Sequence, residues 1–224
     1  VSQDATLVTA RHFEYLAART AGEDAFLRAL REDAVAAGLP AISIGPAQAS
    51  LMQVLLRLAG AREVVEVGTL AGYSAVWMAR ALPGDGRVRT IEADERHAAF
   101  ARERIARSDV AGRIEVHQGR GADVLPTFAD GSADASFLDA DKASYPLYLE
   151  ESLRIVRAGG LIMVDNAFAF GQLFDETPTD GEADAVRAFN ERMAAEPRLQ
   201  SVIVPLGDGM WVGVKDRAAG RRRG

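Results

Sequence analysis

The chain has 224 residues, 48% of them hydrophobic and 26% charged, with a formal net charge of −6. That composition suits one soluble α/β domain with a sizeable core. It contains no cysteine, which excludes disulfides, thiolate nucleophiles and Cys-ligated zinc. No apolar run approaches the ~20 residues of a bilayer span, and no signal-peptide pattern opens the chain. The one basic run is Arg221-Arg222-Arg223, so the expectation is a cytoplasmic protein without a membrane or nucleic-acid partner.

Leu7–Ala18 and Glu23–Ala37 carry helical periodicity, with Ala21-Gly22 between them and Gly38-Leu39-Pro40 after the second. They precede any strand and read as a helical cap or an oligomer contact. Pro46 opens a third helix, Ala47–Leu58, in the favoured first-turn position. Strands and helices then alternate. Strand Val64–Val67 leads through Gly68-Thr69-Leu70-Ala71-Gly72 into helix Tyr73–Leu82. Strand Arg87–Ile91 ends at Glu92 and precedes helix Glu95–Arg107. Strand Arg113–His117 leads through Gln118-Gly119-Arg120-Gly121 into a short helix ending near Phe128.

Strand Ala135–Leu138 ends in Asp139, and a helical pattern over Tyr148, Leu149, Leu153, Ile155 and Val156 follows, closed by the breaker Gly159-Gly160. Strand Leu161–Val164 ends in Asp165-Asn166. Beyond it come the loop Ala167–Asp180, helix Glu182–Ala194, and strands Gln200–Val204 and Met210–Val214 around the turn Leu206-Gly207-Asp208-Gly209. That turn alone has hairpin character, so the last strand is expected to run antiparallel to its partner. The predicted fold is α/β: a Rossmann-like, doubly wound, mostly parallel sheet of about seven strands. One domain covers residues 1–217, with a helical cap over 1–60 and a flexible tail over 218–224.

In such sheets ligands bind beyond the strand C-termini, where the strand order reverses. Gly68, Glu92, Gly119, Asp139 and Asp165 all fall at that edge. Asp139 and Asp165 stand 26 positions apart at equivalent strand ends, and parallel neighbours lie about 4.8 Å apart. Two carboxylates and the Asn166 amide, with no Cys or His nearby, suit a hard cation such as Mg²⁺. Lys142, three positions after Asp139, is a candidate base. Taken singly, Asp139-Ala140-Asp141 also suits a helix cap and Asp165-Asn166 an Asx turn; their common register favours a shared ion.

The Gly68 loop lacks both the G-x-G-x-x-G spacing of dinucleotide sites and the G-K-[ST] ending of a P-loop. Gly68 lets a ligand approach the backbone and Gly72 allows the turn into the helix. Glu92, 24 positions on, can accept both hydroxyls of a ribose and would repel a 2′-phosphate. For either feature alone, a structural glycine turn or a solvated Glu serves equally. His12, His97 and His117 are scattered and read as surface or packing residues, and Trp211 as sheet core.

EVGTLAGYS (Glu66–Ser74), the Glu92 strand end, FLDADK (Phe137–Lys142) and VDN (Val164–Asn166) give the chain a resemblance, over roughly Ile42 to Lys215, to the cation-dependent class I S-adenosylmethionine O-methyltransferases, which include catechol and caffeoyl-CoA O-methyltransferases. The resemblance implies Asp139, Asp165 and Asn166 as ligands of Mg²⁺ (or Mn²⁺ or Ca²⁺) and Lys142 as the catalytic lysine. It implies Glu92 as the ribose acid, with Ile44, Glu66, Gly68, Thr69, Tyr73, Ser74, Ala93, Gly121, Ala122 and Asp139 around the cofactor. Tyr145 matches a family tyrosine, and Phe168, Phe170 and Phe174 either wall an aromatic-acceptor pocket or bury the loop. Ala140-Asp141 stands where animal catechol enzymes carry a bulky pair, as in bacterial and plant relatives. The implied reaction is metal-dependent methyl transfer to a hydroxyl of a small catechol-type acceptor, by a homodimer. Two alternatives stand beside it: methylation of hydroxylated uridine in tRNA, and a nucleotide-binding or NAD-linked protein on the same fold.

Overall fold

The computed structural model describes residues 8–20, 22–179 and 181–216. Leu7, Ala21, Asp180 and the predicted tail Ala218–Gly224 lie outside them. Three helices come first: α1 (Ala10–Ala17), α2 (Ala25–Ala36) and α3 (Pro46–Leu58). Asp24 caps α2 by accepting from Leu27 N at 2.9 Å, and Pro46 occupies the first turn of α3, where its missing N–H costs nothing.

Next come β1 (Glu63–Val67), α4 (Tyr73–Ala81), β2 (Arg87–Glu92), α5 (Glu95–Ile105), β3 (Ile114–Gln118), α6 (Gly121–Val124) and β4 (Ala133–Leu138). The chain closes with α7 (Tyr145–Ile155), β5 (Val156–Val164), α8 (Ala183–Ala195), β6 (Leu199–Val204) and β7 (Met210–Lys215). The sequence pattern is met within a residue or two at most boundaries; α1 is shorter than its periodicity. Among the described residues, no helix is long and apolar enough to cross a membrane.

All seven strands form one sheet in the order β3-β2-β1-β4-β5-β7-β6. The first five in that order are parallel, and β7 runs antiparallel to both β5 and β6. Alternate strand residues serve two apolar layers, as a sheet covered on both faces requires. Val64, Ala135, Phe137, Leu161 and Met163 face α2–α5, whereas Val65, Val67, Leu138, Ile162 and Val164 face α7 and α8. Trp211 is buried as expected and donates its indole N–H to Asn190 Oδ1 at 2.7 Å.

Gly159-Gly160 corrects the sequence reading. The helix ends at Ile155, and both glycines lie inside β5. The pairing with β4 shifts between Ala133 and Ala135, Gly159 takes φ +76°, and a Cβ on Gly160 would stand 2.5 Å from Asp134 O. The glycines therefore make a bulge within a strand.

Strand order reverses between β1 and β4, and the lateral hydrogen bonding continues past their ends. Gly68 N donates to Ile91 O at 3.0 Å, Asp139 N to Val67 O at 2.9 Å and Asp165 N to Leu138 O at 3.0 Å. Gly68, Asp139 and Asp165 thus stand side by side along one edge. Gly68 has φ +105°, and a Cβ built on it would run into the Asp139 carbonyl oxygen. The neighbouring strand end is one reason this position needs a glycine, beside the ligand approach expected from the sequence.

Gly68→Ala is accordingly expected to lower unfolding stability by about 2–3 kcal/mol, through overpacking against backbone together with an unfavourable φ. Gly60→Ala, at φ +59° in open space, should cost only ~1 kcal/mol. Urea denaturation midpoints of the two variants test the contrast, and equal losses would contradict it.

Candidate functional site

A cavity of about 620 Å³ opens along the C-terminal edge of the strands. Of the residues singled out from sequence, Ile44, Gly68, Thr69, Tyr73, Ser74, Glu92, Ala93, Gly121, Asp139, Lys142, Asn166 and Phe170 line it. Glu66, Ala122, Asp165, Tyr145 and Phe168 do not reach its surface. Glu66 and Tyr145 are buried beneath it, and the Phe168 ring packs where a Cβ on Gly209 would be. Phe174 is 92% exposed and walls nothing.

On the β1–β2 side, the Gly68 loop wraps over Glu92. The carboxylate is nearly buried; its Oε2 accepts from Leu70 N at 2.8 Å and its Oε1 from Asp94 N at 2.9 Å. It is therefore no solvated surface acid, and a carboxylate's roughly four lone-pair sites leave acceptor capacity towards the cavity. His97 also lines this end, with Nδ1 3.8 Å from Glu92 Oε1, a place in the cavity that its reading as a surface or packing residue did not specify. The signal was local: Asp94 caps α5 by accepting from His97 N at 3.0 Å, which places His97 in the first turn beside the strand end.

Glu66 lies under the loop with no exposure and accepts from Ser74 Oγ. Burial pushes its carboxyl up to about 8, the Ser74 and Thr90 hydroxyls partly offset this, and the charges of Asp139 and Glu92 add to the rise.

On the β4–β5 side, Lys142 is 4% exposed. Its Nζ donates to Asp139 Oδ1 at 3.1 Å and to Tyr145 Oη at 2.7 Å, and its backbone N–H donates to Glu182 Oε1 at 2.9 Å. Tyr145 is thus a support beneath the lysine, its hydroxyl kept protonated first by burial and then by the charge of Asp139. Tyr148 lines the cavity, donates to Asp141 Oδ1 at 2.7 Å, and packs so tightly on Gly121 that a Cβ there would stand 2.6 Å from its ring. Asp165 accepts from Gln48 Nε2 at 2.5 Å; burial, and then the charge of Asp139, push its carboxyl well above the usual range. Asn166 donates its amide nitrogen to Asp208 Oδ2 at 3.1 Å, which leaves its oxygen for the cavity.

Among the described residues no three His, Cys, Asp or Glu side chains converge as a metal site. A cation at this edge would be held by two carboxylates and one amide, an all-oxygen set suited to a hard divalent ion. Asp165 is raised first by burial and then by the charge of Asp139; an ion between the two carboxylates would relieve the second of these, so the donor set fits it. Gln48, Glu182 and Asp208 were not singled out from sequence. They lie 117, 40 and 42 positions from the residues they hold, and no local pattern announces them.

The folded chain favours protonated Glu66 between pH about 4.5 and about 8. Below pH 4.5 the group is neutral folded or unfolded and costs nothing; as pH rises to 8, the unfolded chain ionises and the folded one resists. Glu66→Gln keeps an acceptor for Ser74. It should gain stability over the unmodified chain across that window, on the order of 5 kcal/mol at most. Denaturant titrations at pH 4.5, 6 and 8 measure the difference, and a flat one would show that Glu66 ionises freely.

The sequence profile described as O-methyltransferase matches residues 17–216. A protein of Niastella koreensis named catechol O-methyltransferase is 39% identical over 197 residues, 87% of each chain. The solved O-methyltransferase from Bacillus cereus in complex with SAH is 36% identical, with a TM-score of 0.82 over 91% of this chain and 96% of that one. TomG of Streptomyces achromogenes, an O-methyltransferase of tomaymycin synthesis solved with SAM, is 31% identical, with a TM-score of 0.81 over 93% and 100%. The chain described above belongs to the O-methyltransferase family.

Proposed function

We propose that this enzyme transfers a methyl group from S-adenosylmethionine to a hydroxyl of a small catechol-type acceptor, with a divalent cation held at Asp139, Asp165 and Asn166. The observation that carries the reading is the gathering of Lys142, Asp139 and Asn166 at one end of the cavity whose other end is built by the Gly68 loop and Glu92. The relatives solved with SAM and SAH support the donor, and the relative named catechol O-methyltransferase supports the acceptor class. Glu92, Asp139, Asp141 and Glu182 all line the cavity, an acidic wall that favours a positively charged donor.

When bound, S-adenosylmethionine supplies the methyl group and the cation makes the acceptor hydroxyl more acidic. Each remaining task falls to residues of the chain. Glu92, fixed by two backbone N–H groups, receives the ribose hydroxyls. Lys142, once it has given its own proton to solvent and stands as the neutral amine, takes the proton of the acceptor hydroxyl, with Asp139 and Tyr145 holding it in place. Phe170, 39% exposed at the cavity, walls the aromatic ring. The acceptor oxygen is thereby aligned with the methyl group, and positioning of this kind accounts for much of the rate in such transfers.

Two measurements check this reading. Methyl transfer from S-adenosylmethionine to simple catechols should vanish in EDTA and return with Mg²⁺ or Mn²⁺; full activity in the chelator would remove the cation from the mechanism. Lys142→Ala should retain donor affinity in calorimetry yet lose on the order of 10²–10⁴ in kcat at neutral pH, with the residual rate rising with pH. A variant that turns over normally would leave Lys142 as a structural ion pair.

A further inference from the structure

The turn between β6 and β7 does more than join two strands. Asp208 Oδ2 accepts from Asn166 Nδ2 at 3.1 Å and from Phe170 N at 2.8 Å, and Oδ1 accepts from Gly171 N at 3.1 Å. The turn's backbone takes two more donors, Phe168 N to Asp208 O at 2.8 Å and Ala167 N to Gly209 O at 2.9 Å. The segment so held is strained: Asn166, Ala169 and Phe170 have φ of +65°, +53° and +58°, a region that non-glycine residues occupy only when the surroundings impose it. The flanking glycines make the fit possible. At φ +62°, a Cβ on Gly207 would stand 2.5 Å from Gln48 Oε1; at φ +76°, one on Gly209 would stand 2.9 Å from the Phe168 ring.

A carboxylate only accepts, so the end of the Asn166 amide facing Asp208 has to be the NH₂ group. The carbonyl oxygen then points the other way, into the cavity that Asn166 lines. Without Asp208 nothing described here prevents the amide from turning over and presenting N–H groups to a cation, which would repel it. We infer that Asp208 is a positioning residue for the cation site, committing the nitrogen of Asn166 so that its oxygen is the ligand. The inference rests on the cation reading given above. It concerns a residue that touches neither donor nor acceptor and acts through Asn166.

The test is Mn²⁺ binding to the full chain without acceptor, followed by calorimetry or electron paramagnetic resonance, with S-adenosylmethionine affinity measured in parallel. Asp208→Ala should weaken Mn²⁺ about 10–100-fold, the usual cost of losing a group that orients a ligand, and change donor affinity by less than about twofold. Asp208→Asn offers one acceptor oxygen to three N–H groups and should show a smaller loss in the same direction; it decides the matter if the alanine variant does not fold. In an Asn166→Ala background the Asp208→Ala change should add less than about twofold, because the two act as one unit. Unchanged Mn²⁺ affinity in the folded Asp208 variants overturns the inference while leaving the cation reading intact. An undiminished further loss in the Asn166→Ala background also overturns it. An unmodified chain that binds no Mn²⁺ overturns both.

Discussion

The site depends on a close approach of backbone to backbone, where the end of β1 meets the end of β4. Gly68 has no side chain because the Asp139 carbonyl occupies that space. The contact fixes how far Asp139 stands from the loop that wraps Glu92, and so makes the two halves of the cavity share one wall. A parallel sheet diverges from its chain order at one place only, and that divergence leaves a crevice above the strand ends. Here the crevice falls between β1 and β4. The Gly68 loop and Glu92 lie on one side of it, and Lys142, Asp165 and Asn166 on the other, with Asp139 at the seam.

The site gathers four acids, three of them buried and Asp139 partly exposed, each handled by a different device. Glu92 is satisfied by two backbone N–H groups, Asp165 by the Gln48 amide, and Glu66 by a hydroxyl and by its own proton. Asp139 is paired with Lys142. Taking carboxylates out of water is unfavourable unless they are paired or protonated, and each of these acids has such a partner or proton. Strongly shifted acids collect at functional sites, and burial raises both Asp165 and Glu66 here.

Much of this was legible in the sequence. Strand and helix positions followed from apolar periodicity, and Asp139, Lys142, Asp165 and Asn166 stood out because each sits at or just past a strand end. Gly159-Gly160 misled because a glycine pair looks the same whether it stops a helix or bulges a strand; only the pairing partner, β4, distinguishes them. Gln48, Glu182 and Asp208 were invisible because their contacts join distant segments, which no local pattern encodes. Tyr145, matched from sequence to a family tyrosine, lies under the lysine and does not line the cavity. A helix start places a side chain near a site without saying on which side of the wall it ends.

The strand order has a consequence for how the molecule comes into being. β7 lies between β5 and β6, so β6 reaches the sheet only through a strand made after it. During synthesis the first five strands and the Gly68 loop emerge well before the hairpin that carries Asp208. Donor-side walls can therefore form on a growing chain whose Asn166 still lacks its hydrogen-bond partner. Pairings between distant segments also form slowly, because the loop must close before the contact rewards it. The nascent protein passes through a stage with half a pocket. The Asn166 side is completed by the β6–β7 turn, which is made after every segment it holds.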